Sequence, residues 1–428
     1  MLSRMEHDSI GALNVPAEAY YGVQSMRAAT NFQITHRLLH PVLIDSIVMV
    51  KKAAAITNEK SGKLDQQIAQ TIIQACDEIL DGNLRDQFIV DAIQGGAGTS
   101  ANMNANEVIA NRAIEILGGT KGDYSIVHPN DHVNMSQSTN DVIQTAGKIT
   151  VLKLLPQTIK ELEKLEKAME EKEAEFDDIL KMGRTQLQDA VPMRLGQSFG
   201  AFAHVLKRDI KRLKNVMDEM KVLNIGATAI GTAINVDPYY LANISYELSK
   251  VAGISLKQAD DLIDATQNLD GFVSVSGVLK TCAVDISKIS NDLRLMSFGP
   301  RTGLSEINLP ARQNGSSIMP GKINPVIPKV VSQVAYLIIG HDYTITMAAE
   351  AGQCEEYIEK SVGISTALCP YIGYAKSAEI AKKSLKTGIS VKELVLEEGL
   401  LNEEELKEIL KPEKMTQPMR EKVMKAVS

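Results

Sequence analysis

The sequence lacks most features that mark a metal-bound, disulfide-bonded or membrane protein. It has no tryptophan, and aromatic residues make up only 4% of its 428 residues, which favours long helices with aliphatic packing over a β-sandwich. Its four cysteines (Cys76, Cys282, Cys354 and Cys369) form no CxxC pair, so we expect reduced, buried thiols and no metal site. No apolar run reaches the ~20 residues of a membrane helix, and the start MLSRMEHDSIG has no signal-peptide core. We therefore expect no membrane association.

Neither sign of charge dominates the chain. The net charge is −7 and the sequence pI is about 5.7. Because acidic and basic residues are interspersed, we expect no nucleic-acid partner and a cytoplasmic location. A chain of this length can bury a large core and is expected to form two or three domains.

Four long stretches repeat apolar residues at three- and four-residue steps. They cover residues 142–176, 193–223, 269–297 and 324–351. The first alone predicts a helix ~50 Å long at ~1.5 Å per residue. Helices of this length predict an all-α protein built on a helical bundle. We predict three domains: a mainly helical N-terminal domain (1–138), a central long-helix bundle (139–353) and a small C-terminal helical domain (354–428).

One short loop, Gly315–Pro325, concentrates chemistry-bearing residues. Its sequence GSSIMPGKINP holds two adjacent hydroxyls, a lysine and an amide between glycines and prolines that prevent a continuous helix or strand. Backbone N–H groups beside glycine can point at negative charge, and Lys322 adds a cation. The loop therefore suits a small carboxylate. The alternative is a flexible Gly/Ser connector.

Two other polar runs precede predicted helices. Residues 94–104 (QGGAGTSANMN) place Thr99 after three glycines, where a helix N-terminus could bind an anion or where Thr99 could simply cap a turn. The pattern is neither GxGxxG nor a P-loop. Residues 136–141 (SQSTND) offer Ser138, Thr139 and Asn140 together, either as a binding site or as a helix N-cap cluster.

These runs resemble the conserved regions of the aspartase/fumarase superfamily, and the 315–325 loop resembles its signature loop. The resemblance extends over nearly the whole chain. It implies a three-domain, all-helical fold and a homotetramer in which three chains share each active site. It also implies elimination across the C2–C3 bond of a small succinate-type dicarboxylate to give fumarate. The resemblance implies no cofactor, and it leaves activation by a divalent metal open.

The same resemblance assigns roles to individual residues. Ser316 is implied as the catalytic base that removes the C3 proton. The implied substrate-binding residues are Thr99, Ser138, Thr139, Asn140, Thr185, Gln186, Ser317, Lys322 and Asn324. Among them, the hydroxyls of Thr99, Ser138, Thr139 and Ser317 are implied to donate to an aci-carboxylate intermediate. Lys322 and Asn324 would hold the other carboxylate, and Asn140, Thr185 and Gln186 the amino group.

Within the superfamily, two segments are similar to those of aspartate ammonia-lyases. Fumarate hydratases usually have serine at Thr139, histidine at Gln186 and threonine at Leu187. A histidine can manage the proton of an activated water, whereas neutral amide and hydroxyl oxygens suit an ammonium leaving group. The resemblance thus implies reversible deamination of L-aspartate. The alternative is a fumarate hydratase or another fumarate-producing lyase.

Three departures from the family pattern bear on activity. Lys329 stands where many relatives carry glutamate, and Ala233 stands where glycine is usual. After Gln353 the sequence passes directly to Cys354 and a segment like the family's last domain, so several dozen residues, one bundle helix, are missing. Such a loss would leave an apolar stripe of the bundle exposed. It also supports a second hypothesis, a catalytically crippled homologue with a structural or interaction role.

Overall fold

The structure is a computed structural model that describes residues 2–299, 301–351 and 362–416. The chain forms two compact units. The first unit combines Met1–Thr150, Lys221–Asn268 and Gln353–Ser428. The second combines Val151–Met220 and Leu269–Gly352. Each unit is therefore assembled from segments that are distant in sequence.

Helices dominate both units. They are α1 (Val23–Asn31), α2 (Pro41–Lys60), α3 (Gln66–Leu80), α4 (Thr99–Ile116), α5 (Thr139–Glu175), α6 (Leu195–Met220), α7 (Pro238–Ala252), α8 (Leu262–Gln267), α9 (Asp270–Met296), α10 (Val326–Glu350), α11 (Cys369–Ile372), α12 (Tyr374–Thr387), α13 (Val391–Glu397), α14 (Glu403–Ile409) and α15 (Pro412–Met415). Short 3₁₀ segments lie at Arg85–Gln87 and Val362–Leu368, and a π-helical turn lies at Pro129–Val133. The predicted all-α class is confirmed.

The four predicted long helices are present as α5, α6, α9 and α10, within a few residues of their predicted ends. In the second unit α9 packs against both α6 and α10. Ser276 and Lys280 of α9 donate hydrogen bonds of 2.8 and 2.6 Å to the Asp342 carboxylate of α10. A buried polar contact thus fixes the register of these two helices.

Apolar residues at helical spacing also form helices in the first unit. In α3, Ile72, Cys76 and Ile79 are fully buried at three- and four-residue spacing. The Asp65 carboxylate starts this helix by accepting from the backbone N–H groups of Gln67 and Ile68. Helix α2 packs against both α3 and α7, which makes it the centre of this unit's core.

Short strands appear where the sequence predicts irregular structure or loops. They are β1 (Ser3–Asp8), β2 (Gly11–Pro16), β3 (Leu180–Thr185), β4 (Gln188–Arg194), β5 (Val222–Leu223) and β6 (Lys257–Gln258). Residues 1–40 show no helical periodicity, which predicts irregular structure. That prediction is wrong for the first two strands, which pair as an antiparallel hairpin. The Arg4 guanidinium anchors this hairpin by donating to four carbonyls further along the chain (those of Pro16, Ala17, Ala19 and Tyr21).

The last described segment has a small core of its own. Leu368, Ile380, Leu394 and Leu406 are fully buried within it. Asn402 followed three residues later by Glu405 is the sequence pattern of a capping box, and the two residues do exchange side-chain and backbone hydrogen bonds at the start of α14. The predicted junction at Gln353–Cys354 lies outside the described residues, and the boundaries of the three predicted domains remain predictions.

Helix α10 exposes several large apolar side chains. Its large apolar side chains with at least half of their surface accessible are Ile327, Val334, Tyr336, Leu337, Tyr343 and Met347. We predicted such an exposed apolar stripe on the bundle, because one bundle helix is missing from the sequence.

No described helix is long and apolar enough to cross a membrane.

Candidate active site

Thr99 lies at the first residue of α4 and is exposed. The preceding Gly98 has φ +89°, and a Cβ there would come within 2.7 Å of Ile143, so a glycine is required. The loop before it is held by Gln94, whose side-chain oxygen accepts from the Ala101 N–H. The predicted placement of Thr99 at a helix N-terminus is therefore confirmed.

Ser138 immediately precedes α5. Its backbone N–H donates to Asp141 Oδ1 at 2.8 Å, and its hydroxyl oxygen accepts from the Asn140 N–H at 3.4 Å. The bond to Asp141, the third helical residue, is the carboxylate half of a capping box, whereas the hydroxyl caps the N–H of the second helical residue. The N-cap interpretation of this run is thus confirmed for Ser138, and the cap also fixes the direction of its hydroxyl.

Thr139 and Asn140 each have a partner from another segment of the first unit. Thr139 Oγ1 accepts from the Asn102 side-chain amide at 3.4 Å, which brings the first turn of α4 beside this run. Asn140 Nδ2 donates to the Ala229 carbonyl at 2.6 Å. Thr99 and the run 138–140 are therefore neighbours within one chain.

A buried polar network that the sequence analysis missed lies behind this run. Lys51 of α2 is fully buried, and its ammonium donates to Asn134 Oδ1 at 2.7 Å and to Gln137 Oε1 at 2.9 Å. The same Asn134 oxygen also accepts from the side chains of Asn102 and Asn106. The detectable signal was the run of asparagines at positions 102, 104 and 106 within one predicted helix.

Burial shifts the pKa values of two groups in this region. Desolvation lowers the pKa of Lys51 to about 7, although the negative charge of Asp141 acts in the opposite direction. Desolvation raises the pKa of Asp141 to about 6, opposed by hydrogen bonds from the backbone N–H groups of Ser138, Thr228 and Gly226. Two ionisable groups are thus kept out of water close to the run 138–140.

Thr185 and Gln186 lie at the tip of the β3–β4 hairpin in the second unit. Thr185 pairs with Gln188, and the two turn residues Gln186 and Leu187 have φ +51° and +63°. All of these residues are exposed. The base of the tip is held by Arg184, which donates to Glu306 at 2.6 Å. Thr185 and Gln186 therefore lie on an exposed two-residue hairpin turn.

The 315–325 loop is closed by hydrogen bonds between its two ends, which favours the binding-loop interpretation over the flexible connector. The Gly315 N–H donates to the Lys322 carbonyl at 2.8 Å, and Asn324 Nδ2 donates to the Gly315 carbonyl at 2.8 Å. A Cβ at Gly315 would lie 2.7 Å from Asn324. Asn324 therefore closes the loop through its side-chain amide.

Within this loop Ser316 is partly buried and has two backbone donors. Its Oγ accepts from the N–H of Ile318 at 3.2 Å and of Met319 at 3.0 Å. Ser317 and Lys322 are exposed on the same loop. The arrangement favours negative charge on the Ser316 oxygen, because both donors already point at it.

The predicted site residues thus fall into two groups. The first unit holds Thr99, Ser138, Thr139 and Asn140 close together. The second unit holds Thr185, Gln186, Ser316, Ser317, Lys322 and Asn324. Among the described residues, no cluster of histidine, cysteine, aspartate and glutamate could hold a metal ion.

The chain belongs to the lyase family: residues 11–340 match the family described as Lyase, and residues 364–417 match the one described as Fumarase C C-terminus. An aspartate ammonia-lyase from Bacillus sp is 49% identical over 97% of this chain and 98% of its own length. The aspartate ammonia-lyase of Escherichia coli (strain K12) is 45% identical over 97% and 96%.

The chain is also similar to solved structures of lyases. The fumarate lyase:delta crystallin from Brucella melitensis bound to cobalt is 46% identical with a TM-score of 0.81, covering 97% of this chain and 100% of that one. The recombinant class II fumarase from Schistosoma mansoni is 32% identical with a TM-score of 0.79, covering 97% and 99%.

The length of these matches bears on the missing segment. The match with the Bacillus sp enzyme extends over 457 residues, whereas this chain has 428 in all. The relative therefore carries residues between the matched ends that this chain lacks. The predicted internal shortening is confirmed, and its position at Gln353–Cys354 remains a prediction.

Proposed function

We propose that this chain is an aspartate ammonia-lyase, a carbon–nitrogen lyase that reversibly converts L-aspartate into fumarate and ammonia. The observation that carries the proposal is the near end-to-end match, at 45–49% identity, with enzymes that bear this name. Thr139 and Gln186 support ammonia-lyase over hydratase chemistry, since neither adds a group that titrates near neutral pH.

Ser316, as the alkoxide, is the catalytic base of the proposed reaction. It forms an O–H bond to the C3 proton, and the electron pair of the broken C–H bond moves into the C4 carboxyl group. The resulting aci-carboxylate carries two negative charges. When it collapses, the C2–N bond breaks, ammonia leaves and the C2–C3 double bond of fumarate forms. Ser316 then returns its proton to solvent or to the departing ammonia.

The contacts of Ser316 support this role. Hydrogen bonds to a charged oxygen are worth about 1.5–3 kcal/mol each, and Ile318 and Met319 supply two of them from the backbone. The cation of Lys322 on the same loop adds to this stabilisation. Such groups are needed because a free serine hydroxyl is far too weak an acid to ionise near neutral pH.

The remaining predicted residues bind the substrate in the proposed site. Thr99, Ser138, Thr139 and Ser317 donate to the aci-carboxylate, Lys322 and Asn324 hold the other carboxylate, and Asn140, Thr185 and Gln186 hold the amino group. The shared location of Thr99, Ser138 and Thr139 supports the first of these assignments. Every step uses side chains and backbone groups, so we propose no cofactor.

We further propose a cytoplasmic homotetramer in which three chains share each site. Two observations support it. The hairpin tip with Gln186 and the Ser316 loop present their polar groups on exposed turns, as groups that serve a neighbouring chain would. The large apolar side chains exposed on α10 also require cover in water.

The test is fumarate release by the purified chain from L-aspartate and, separately, from L-malate. The proposal expects release from L-aspartate at a rate at least about a hundredfold above that from L-malate, the discrimination available to a site built for one leaving group. Faster release from L-malate would assign the hydratase reaction instead. Release from neither would support the crippled homologue.

A further inference from the structure

The carboxylate of Asp141 joins two segments of the first unit. Asp141 is fully buried. Its Oδ1 accepts from the N–H of Ser138 at 2.8 Å. Its Oδ2 accepts from the N–H groups of Gly226 at 3.1 Å and of Thr228 at 3.2 Å. One side chain therefore sets the distance between the run 138–140 and the 224–229 segment.

The 224–229 segment adopts a strained backbone that needs such a partner. Gly226 has φ +89°, and a Cβ there would come within 2.9 Å of Leu241. Thr228 has φ +60°, a conformation that a β-branched residue rarely adopts. Strain of this kind persists only where surrounding contacts hold it in place. The bonds from Gly226 and Thr228 to Asp141 are those contacts.

The strained segment in turn holds the substrate-binding run. The Ala229 carbonyl accepts from Asn140 Nδ2 at 2.6 Å, and Asn224 Nδ2 donates to the Asn140 carbonyl at 3.3 Å. Asn140 is thus fixed at both its side chain and its backbone by residues whose own position depends on Asp141. The contacts form a closed ring from Asp141 through Ser138 and Asn140 to the 224–229 segment.

We propose that Asp141 is a positioning residue for the lyase reaction: by holding Ser138 and the 224–229 segment, it aims the hydroxyls of Ser138 and Thr139 and the amide of Asn140 at the substrate. The inference rests on the proposed function. Asp141 is buried behind the run and acts through these residues. Sequence alone gives it only the role of a helix-capping aspartate.

Asp141→Asn tests the inference, because it keeps the shape of the side chain and turns one acceptor into a donor. One of the two segments then faces an N–H group instead of an oxygen. We expect kcat/KM for L-aspartate to fall by about tenfold or more, as for the loss of oriented transition-state donors. We also expect the dissociation constant of succinate, measured by calorimetry, to rise about fivefold or more.

Glu107→Gln is the matched control. Glu107 is another buried carboxylate of the first unit, and it accepts from the backbone N–H groups of Gly22, Gln24 and Ser25. Glu107→Gln therefore disturbs a comparable set of hydrogen bonds, at a place that does not contact the run 138–140 through any of these bonds. We expect it to lower thermal stability while leaving kcat/KM and the succinate dissociation constant within about twofold of the original.

Amide hydrogen exchange on the unmodified chain provides a measurement that needs no variant to fold. Saturating succinate is expected to slow exchange at Ser138, Gly226 and Thr228 together, and to leave Gly22, Gln24 and Ser25 unchanged. Equal effects of the two variants on succinate binding, or protection at Ser138 without Gly226 and Thr228, would overturn the inference. If the unmodified chain binds succinate but releases no fumarate from L-aspartate, the proposed function fails while the inference is still tested.

Discussion

The backbone N–H of Met319 donates a 3.0 Å hydrogen bond to the hydroxyl oxygen of Ser316. A second donor, the N–H of Ile318, reaches the same oxygen at 3.2 Å. The two N–H groups come from the turn that follows the serine, so they need no movement to stabilise an alkoxide there. The loop is therefore preorganised for a base, as electrostatic catalysis requires.

Closure of this loop at Gly315 gives the first prediction. Gly315→Ala places a methyl group 2.7 Å from Asn324, which must move and carry the loop with it. We expect kcat for L-aspartate to fall by about tenfold or more, since a displaced turn no longer aims its donors at Ser316. Steady-state kinetics on the purified variant provide the measurement.

Gly277→Ala is the control for this substitution. Among the described atoms, a Cβ at Gly277 would meet nothing within 4 Å, and the residue lies inside α9. Alanine there is expected to leave kcat unchanged and to add up to about 1 kcal/mol of stability. Similar kinetics for both alanine variants would argue against loop closure as a requirement.

Ala233 gives the second prediction. It has φ +54° and is only 2% exposed, so its Cβ is held in a left-handed conformation that glycine adopts without strain. We expect Ala233→Gly to raise the free energy of unfolding by about 0.5–1 kcal/mol, measured by urea denaturation. Ala227→Gly, at a fully buried position of the same loop with no positive φ, should instead lower it.

This departure from the family pattern therefore has a structural meaning. The sequence shows only that alanine replaces the usual glycine. The conformational strain at Ala233 becomes apparent only from its positive φ in the structure. A loss of stability in Ala233→Gly would show that the methyl group's packing outweighs the strain.

Asp91 gives a prediction about acid stability. Its carboxylate accepts from the backbone N–H of Ile93, from the side chain and N–H of Thr35, and from the N–H of His36. These hydrogen bonds lower the pKa of Asp91 from 3.8 to about 2, and the bond from the Ile93 N–H has the largest effect. Because the folded pKa is depressed, the stabilisation is present above pH 3.8 and is lost as the pH falls towards 2.

Asp91→Asn removes this contribution. The stability difference between the original chain and the variant is expected to shrink as the pH falls from about 4 to about 2, measured by urea denaturation at each pH. Asp86→Asn, at an exposed carboxylate bonded to the neighbouring Gln87 side chain, is the control and should show no such change. A constant difference for Asp91→Asn would refute the assignment.

The long helices could be predicted from sequence because apolar periodicity reports which face is buried. Adjacent Lys51 and Lys52 show where that information ends. The two look alike in sequence, but Lys51 is fully buried on Asn134 and Gln137, whereas Lys52 pairs with Asp77 at the partly exposed surface. Each helical residue turns by about 100°, so neighbours face different surroundings that only the fold defines.

The tip of the β3–β4 hairpin was not predicted for a different reason. A two-residue hairpin turn normally signals itself with Asn-Gly or Asp-Gly, because both residues need positive φ. Here Gln186 and Leu187 occupy those positions, so the local sequence carries no turn signal. A strained tip at a predicted binding residue is the kind of exception that functional sites show.

Ser316→Ala tests the central claim most directly. Purified original and variant chains would be compared for fumarate release from L-aspartate, with circular dichroism and sedimentation to compare fold and assembly. The account predicts fumarate release by the original chain and a fall in kcat of about a thousandfold or more in the variant, with fold and assembly unchanged. Near-normal kcat in Ser316→Ala, or no release by the original chain, would contradict it.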